Sequence, residues 1–236
     1  MPLKLLVVFG TRPEAIKMAP LVTALQDRPE LFSVQVCVTA QHRGMLDQVL
    51  DLFAIQPDID LNLMRSGQDL YDVTSAVLVG LREVLQAQPP DVLLVHGDTT
   101  TTAAASMAGF YAGVPIGHVE AGLRTHDLQA PFPEEFNRRV ASLLARWHFA
   151  PTVRARDNLL QEGVPESAIT VTGNTVVDAL FQALARIDAD PARKAALTAG
   201  LDARLSFAWN QQPFVLITGH RRENFGGGFE RICQAL

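Results

Sequence analysis

The stretch VVFGTRPEAIKMAP, residues 7–20, decides how the rest of the chain is read. An apolar run that begins at Leu3 ends at Gly10, and Thr11-Arg12-Pro13-Glu14 then opens a helix. In that helix Ala15, Met18, Ala19, Val22 and Leu25 recur at helical spacing. An uninterrupted apolar run suits a strand covered on both faces. Strand, tight glycine turn and helix together make the first half of a parallel βαβ unit.

Working outward, the same alternation repeats. FSVQVCVTA (32–40) predicts a second strand and residues 43–53 a second helix. A longer helix over 69–87 places Leu70, Val73, Val77, Leu81 and Val84 on one stripe. DVLLVHGD (91–98) reads as a buried strand, with a helix over 100–112 after it. Shorter strands follow in VPIGHVEAG (114–122) and WHFAP (147–151), separated by a helix starting in FPEEFNRRVASLLA with Pro133 near its first turn. The expected fold is a doubly wound parallel sheet. Sheets of this kind take ligands at the carboxyl ends of their strands, and there the sequence places Arg12, Gln41-His42-Arg43, Asp98 and Glu120.

The expected division is an N-terminal Rossmann-like domain over 1–168, a connector with helices over 169–212, and the start of a nucleotide-binding second domain over 213–236. PFVLITGHRREN (213–224) predicts a strand and a donor-rich loop. A strand without neighbours makes no sheet, so the chain reads as a fragment of a longer protein, with a partner chain that supplies the rest as the alternative.

Composition narrows the function classes. The 236 residues are 48% hydrophobic and 19% charged, ordinary for a globular protein with a buried core. A formal net charge of −5 gives no bulk attraction to nucleic acid, so any anion site must be a local cluster of donors. Two cysteines, Cys37 and Cys233, make no disulfide framework and point to a reducing, cytoplasmic setting. LKLLVVF (3–9) is too short to span a membrane and reads as a strand.

The strand-end residues carry the chemistry. GTRPE has neither the Gly-Lys-Ser/Thr ending of a P-loop nor the spacing of a dinucleotide fingerprint. It does set Arg12 and Lys17 beside a helix N-terminus, which suits a phosphate; a surface pair between Arg12 and Glu14 is the alternative. Asp98 is either a helix cap or a reactive carboxylate, and Thr99–Thr102 are either caps or ligand contacts. Glu134/Arg138 and Glu135/Arg139 have the spacing of surface ion pairs on a helix. Crowded carboxylates raise one another's pKa, which makes an acid or base usable near neutrality. His220, Arg221 and Arg222 suit an oxyanion or form a solvated charge run. No spacing resembles a zinc or calcium site, and no nucleophile elbow is present.

Seven segments carry a resemblance in order along the chain: GTRPEAIKMAP (10–20), TAQHRGMLDQVL (39–50), VHGDTTTT (95–102), GHVEAGLRT (117–125), PFPEEFNRR (131–139), TGNTVVDAL (172–180) and TGHRRENFG (218–226). Together they resemble the non-hydrolysing UDP-N-acetylglucosamine 2-epimerases. The resemblance implies a glycosyltransferase-B-like architecture of two domains, here with the second truncated. It implies interconversion of UDP-GlcNAc and UDP-ManNAc without metal or cofactor, by a cytoplasmic homodimer that feeds bacterial surface polysaccharides.

By motif position it implies catalytic roles for Asp98, Glu120, Glu134 and His220, with substrate held by Arg12, Lys17, Asp98, Glu120 and His220. Gln41 and His42 match the neighbourhood of a second, activating UDP-GlcNAc site. The sequence departs from the family pattern at His126 and Gln129, where glycine and tyrosine are expected. Two other readings remain open at this level: a sugar transferase on the same architecture, and a truncated binding or dimerisation module without catalysis.

Overall fold

The computed structural model describes residues 1–39, 43–63, 65, 67–217 and 227–235. Seven strands form one parallel sheet: β1 (Leu3–Phe9), β2 (Phe32–Val38), β3 (Ile59–Asp60), β4 (Val92–His96), β5 (Ile116–Val119), β6 (Trp147–Ala150) and β7 (Ile169–Val171). Their order is β3-β2-β1-β4-β5-β6-β7. The chain steps from β1 to β2 and β3 on one side, then crosses back over to place β4 on the other side of β1, with Leu5 against Val34 and Val92 in register. The crevice at the carboxyl ends of β1 and β4 is therefore the switch point of the sheet.

Helices cover both faces. One core packs α1 (Arg12–Gln26) and α2 (Arg43–Phe53) against Leu5, Val7 and Phe9. The other packs α3 (Leu70–Ala87) and α4 (Thr100–Tyr111) against Leu6 and Val8. Odd and even residues of β1 go to opposite cores because successive strand side chains point to opposite faces. That two-sided burial explains the continuous apolar run of the opening stretch. A third cluster seats Ala155 and Leu159 of α6 (Val153–Gln161) on Ala121 and Ala150. The helix α5 (Glu134–Leu144) lies between β5 and β6 in the chain, and packs on α4.

Local chemistry fixes the helix starts that matter for the site. Thr11 caps α1 in a capping box with Glu14, and Pro13 sits in the first turn. Thr99 caps α4 by accepting the Thr102 N–H, so the threonine run serves first as a cap. At Gly10 a side chain would place its Cβ 2.1 Å from Thr39 Oγ1 and 2.7 Å from Thr101 Oγ1, so only glycine lets the β1–α1 turn lie this close to its neighbours.

The chain divides into two compact units, Met1–Arg186 and Ile187–Leu236. The first continues past residue 168, because β7 pairs with β6 and Ala179 of α7 (Val176–Ala189) enters the first core. The second contains α8 (Pro191–Asp202), capped by Asp190, and α9 (Gly227–Ala235). The strand expected from Pro213 does not form over residues 213–217. Val215 and Leu216 are 84% and 77% exposed, and without a neighbouring strand among the described residues their backbone groups gain nothing from extended pairing. Among the described residues, no helix is long and apolar enough to cross a membrane.

Candidate active site

Strand ends supply the site. β4 runs out through Gly97, at φ +68°, into Asp98 and the cap of α4. Val119 ends β5, and Glu120 follows at φ +61°. A glutamate held in the left-handed region costs about 1–2 kcal/mol, and such strain collects where a side chain must be aimed. A Cβ on Gly97 would lie 3.5 Å from Glu120 Oε2, so the two turns are in direct contact.

Lys17 of α1 donates to both oxygens of Glu120, at 2.6 and 2.8 Å. Asn174 donates to Glu120 Oε1 at 3.0 Å, and the neighbouring Thr175 hydroxyl donates to the Lys17 carbonyl at 2.6 Å. The TGNT turn thereby ties the end of the sheet to the helix that carries Lys17. His96 Nε2 stands 3.5 Å from Glu120 Oε2.

Asp98 pairs with Arg138 of α5 at 2.6 Å, and its backbone carbonyl accepts from Asn137 at 3.0 Å. Burial raises the Asp98 carboxyl above its ordinary range; Arg138 opposes this, Glu120 and Glu134 push it further up, and Lys17 pulls it down. Three carboxylates and two cations thus act on one another across the ends of β1, β4 and β5.

Arg138 does not form the surface pair with Glu134 that the helical spacing suggests. It is buried, and its guanidinium reaches Asp98 and the Glu134 carbonyl instead. Arg139 likewise turns to Glu162, at 3.4 Å, and not to Glu135. The adjacent glutamates divide their work. Glu135 is fully buried and accepts from the Thr125 and His126 backbone N–H groups at 3.0 and 3.2 Å, which anchors the loop before α5. Within that loop His126 has φ +66°, a conformation that suits the glycine the family pattern expects there. Glu134 keeps a buried Oε2 with no hydrogen-bond partner among the described residues, and so has an acceptor available to a substrate.

Arg124 is structural: its fully buried side chain holds Glu162 at 2.7 Å and Ser142 at 3.0 Å. Glu14 does not pair with Arg12; it is buried in the capping box, while Arg12 stands exposed at the first position of α1 without an ion pair among the described residues. His220, Gln41 and His42 lie outside the described residues.

Beneath the two turns lies a row of histidines. His118 and His148 are register partners on β5 and β6, and His96 ends β4. His118 Nε2 contacts the Gly97 carbonyl at 2.7 Å, so that nitrogen must carry the proton and donate. Burial pushes His96 and His118 down to about 3, which keeps both rings neutral. Asn174, the Arg138–Asp98 pair and the His118 contact are not legible in the sequence, and for one reason. Each is a long-range partner of a strand-end residue, visible in the sequence only as part of a motif.

Among the described residues, no group of three or more His, Cys, Asp or Glu side chains is arranged to hold a metal ion. A concavity of about 460 Å³ lined by Leu61, Leu63, Arg65, Gln68, Asp72 and Val79 shares no residue with the carboxylate cluster, whose chemistry makes it the stronger candidate.

Known proteins resemble this chain in sequence and in fold. A family model described as UDP-N-acetylglucosamine 2-epimerase matches residues 23–236. The UDP-N-acetylglucosamine 2-epimerase of Yersinia pestis is 60% identical over 234 residues, which cover 99% of this chain and 61% of that protein. The UDP-GlcNAc 2-epimerase of Neisseria meningitidis, solved bound to UDP-GlcNAc, superposes with a TM-score of 0.89 at 48% identity, over 99% of this chain and 61% of that one. The enzyme of Methanocaldococcus jannaschii, solved with UDP-GlcNAc and UDP, gives 0.76 at 33% identity over 84% and 54%. The chain thus spans about three fifths of the length of the curated relatives it matches, 61% in the first case.

Proposed function

The chain belongs to the UDP-N-acetylglucosamine 2-epimerase family, and on that premise we propose that it is the amino-terminal portion of an enzyme interconverting UDP-GlcNAc and UDP-ManNAc. The C2 proton of the sugar has no carbonyl beside it, so direct removal would leave an unstabilised carbanion. Elimination avoids this. A base takes the C2 proton, the C–H electron pair becomes the C1=C2 bond, and the C1–O bond breaks with its pair leaving on UDP. Proton return to the opposite face of C2, with UDP oxygen re-adding at C1, completes the inversion.

The single observation that carries the reading is Asp98, buried at a strand end beside Glu120 and Glu134, its carboxyl pKa raised and its orientation set by Arg138. A carboxylate of raised pKa is the stronger base, which favours Asp98 for the C2 proton. Glu134, whose buried Oε2 has no partner among the described residues, and Glu120, held by Lys17 and Asn174, are the candidates for the proton on the other face and for the sugar hydroxyls. Arg12 and His220 are assigned to the diphosphate, where cations stabilise the charge of the leaving UDP.

The proposal extends, by motif position, to a second UDP-GlcNAc site near Gln41 and His42, and to a cytoplasmic homodimer serving surface polysaccharide synthesis. It places the start of a second, nucleotide-binding domain of the glycosyltransferase-B type in residues 213–236.

Proton NMR of UDP-GlcNAc in D2O tests this. A protein carrying this sequence at the full length of its relatives should replace the C2 proton with deuterium and produce UDP-ManNAc, and Asp98→Asn should abolish both. Turnover without deuterium at C2, or none from the full-length protein, overturns the assignment.

A further inference from the structure

Glu14 is 2% exposed and reaches across the switch point of the sheet. Its Oε2 accepts the Gly10 N–H at 3.1 Å and the Thr11 N–H at 2.8 Å. Its Oε1 lies 2.7 Å from Thr99 Oγ1 and 3.3 Å from Thr102 Oγ1. Those two hydroxyls are 3.1 Å apart, and Thr102 Oγ1 also donates to the His96 carbonyl.

Counting protons decides the charge. Backbone N–H groups can only donate, so Oε2 is an acceptor throughout. A carbonyl oxygen can only accept, so the Thr102 proton goes to His96. The Thr99 proton is then the last one, and it faces two oxygens, Glu14 Oε1 and Thr102 Oγ1. Were Glu14 ionised, one of those contacts would set lone pair against lone pair. A proton on Glu14 resolves that clash: Oε1–H donates to Thr99, Thr99 donates to Thr102, and Thr102 donates to the His96 carbonyl, which leaves only the long 3.3 Å approach of Oε1 to Thr102 Oγ1 without a proton. Thr99 Oγ1 fills its second lone pair from the Thr102 N–H at 3.1 Å.

We propose that Glu14 is a neutral carboxylic acid and the positioning residue of the site, clasping the turn that carries Arg12 to the turn that carries Asp98. The chain of hydrogen bonds runs to residues on both sides of Asp98, the Thr99 hydroxyl after it and the His96 carbonyl before it. Among the described residues no charged side chain perturbs Glu14: its partners are the amides of Gly10 and Thr11 at the start of α1, and the hydroxyls of Thr99 and Thr102 at the start of α4. Burial raises its pKa in the same direction and outweighs the hydrogen bonds from Thr99, from Thr11 and from the Gly10 and Thr11 amides, which lower it. There is a second consequence. The Gly10 and Thr11 amides at the mouth of α1 are already taken, so an anion at this end draws on what remains there, the exposed Arg12. The functional half of this inference rests on the roles proposed above for Asp98 and Arg12.

Glu14→Gln and Glu14→Ala separate the alternatives. A glutamine keeps an N–H donor for Thr99 and an oxygen for Gly10 and Thr11, so it replaces a neutral acid and cannot replace an anion that accepts from Thr99. Infrared difference spectra of wild type against Glu14→Gln at neutral pH should contain the carbonyl stretch of one protonated carboxyl group. Glu14→Gln should also melt near wild type and stay within about threefold of its C2 exchange rate, while Glu14→Ala falls by about tenfold or more in kcat. A missing protonated-carboxyl band, or a Glu14→Gln variant as impaired as Glu14→Ala, overturns the proposal. Infrared and melting require no turnover, so they judge Glu14 even where the epimerase reading fails.

Discussion

Acidification should act on this protein through His118. Its ring is fully buried on β5 and donates to the Gly97 carbonyl at 2.7 Å, directly beneath the turn that carries Asp98. Burial is the main opponent of protonation; the Gly97 carbonyl favours it, and the rings of His148 and His96 and the Arg124 guanidinium add to the opposition. The folded pKa is depressed to about 3, against 6.5 in an unfolded chain. Above the unfolded value both states are neutral and the histidine contributes no pH dependence. Below it the unfolded chain binds a proton that the folded one refuses, so stability falls as pH falls, over the window from 6.5 down to about 3. At about pH 5.5, one unit below the unfolded value, the loss is about 1.4 kcal/mol for this ring alone.

Total stability is a poor readout, because Asp98 and Glu14 have raised pKa values and bind protons more readily when folded, which works in the opposite direction. His118→Gln removes the titration and keeps an N–H that can reach Gly97. Urea unfolding of both proteins at about pH 7.5 and about pH 5.5 isolates the term: the stability gap between wild type and variant should change by about 1.4 kcal/mol in favour of the variant at the lower pH. A gap that stays constant between the two pH values would show that His118 titrates alike in folded and unfolded chains, and the neutral-ring argument would be refuted.

Other substitutions probe the site from different sides. Glu134→Gln should lower C2 exchange by at least about tenfold with an unchanged melting temperature, since its buried oxygen bonds to nothing described in the fold. Glu135→Gln should do the reverse, costing about 2 kcal/mol in urea unfolding because it weakens the grip on the Thr125 and His126 amides. Arg138→Met leaves Asp98 without its 2.6 Å partner; kcat should drop by about a hundredfold with the far-ultraviolet circular dichroism intact, and an unaffected rate would deny Arg138 its orienting role. Gly122→Ala should cost more than about 3 kcal/mol, because Gly122 has φ +89° and a Cβ there would lie 2.2 Å from the Ala155 carbonyl oxygen; thermal melting near wild type would contradict the packing described for α6.

Order within the chain made the fold legible. Leu3–Phe9 and Val92–His96 are apolar at every or nearly every position because their strands are buried on both faces, and that pattern survives in one dimension. Caps at Thr11 and Thr99 are equally local, since a side chain and an amide three residues on are neighbours in any conformation that starts a helix. Strand ends then collected Asp98 and Glu120 as candidates, and the motif around Glu134 added the third carboxylate. The strand expected at the start of 213–224 failed over the apolar residues 213–217 for the converse reason: strand propensity needs a paired neighbour, which local sequence cannot supply.

Partners were another matter. Spacing paired Arg138 with Glu134, and a surface pair with Glu14 was the alternative to a phosphate at Arg12; tertiary packing gave Arg138 to Asp98, some forty residues away, and drew Glu14 into the interior. Helical spacing fixes which side chains can meet on an isolated surface, but burial reverses the choice, because a desolvated charge takes whichever partner the fold brings within reach. Protonation states follow the same division. A sequence names His118 and Glu14 as titratable, and only the depth of the surrounding sheet and the direction of each hydrogen bond decide that both stand neutral.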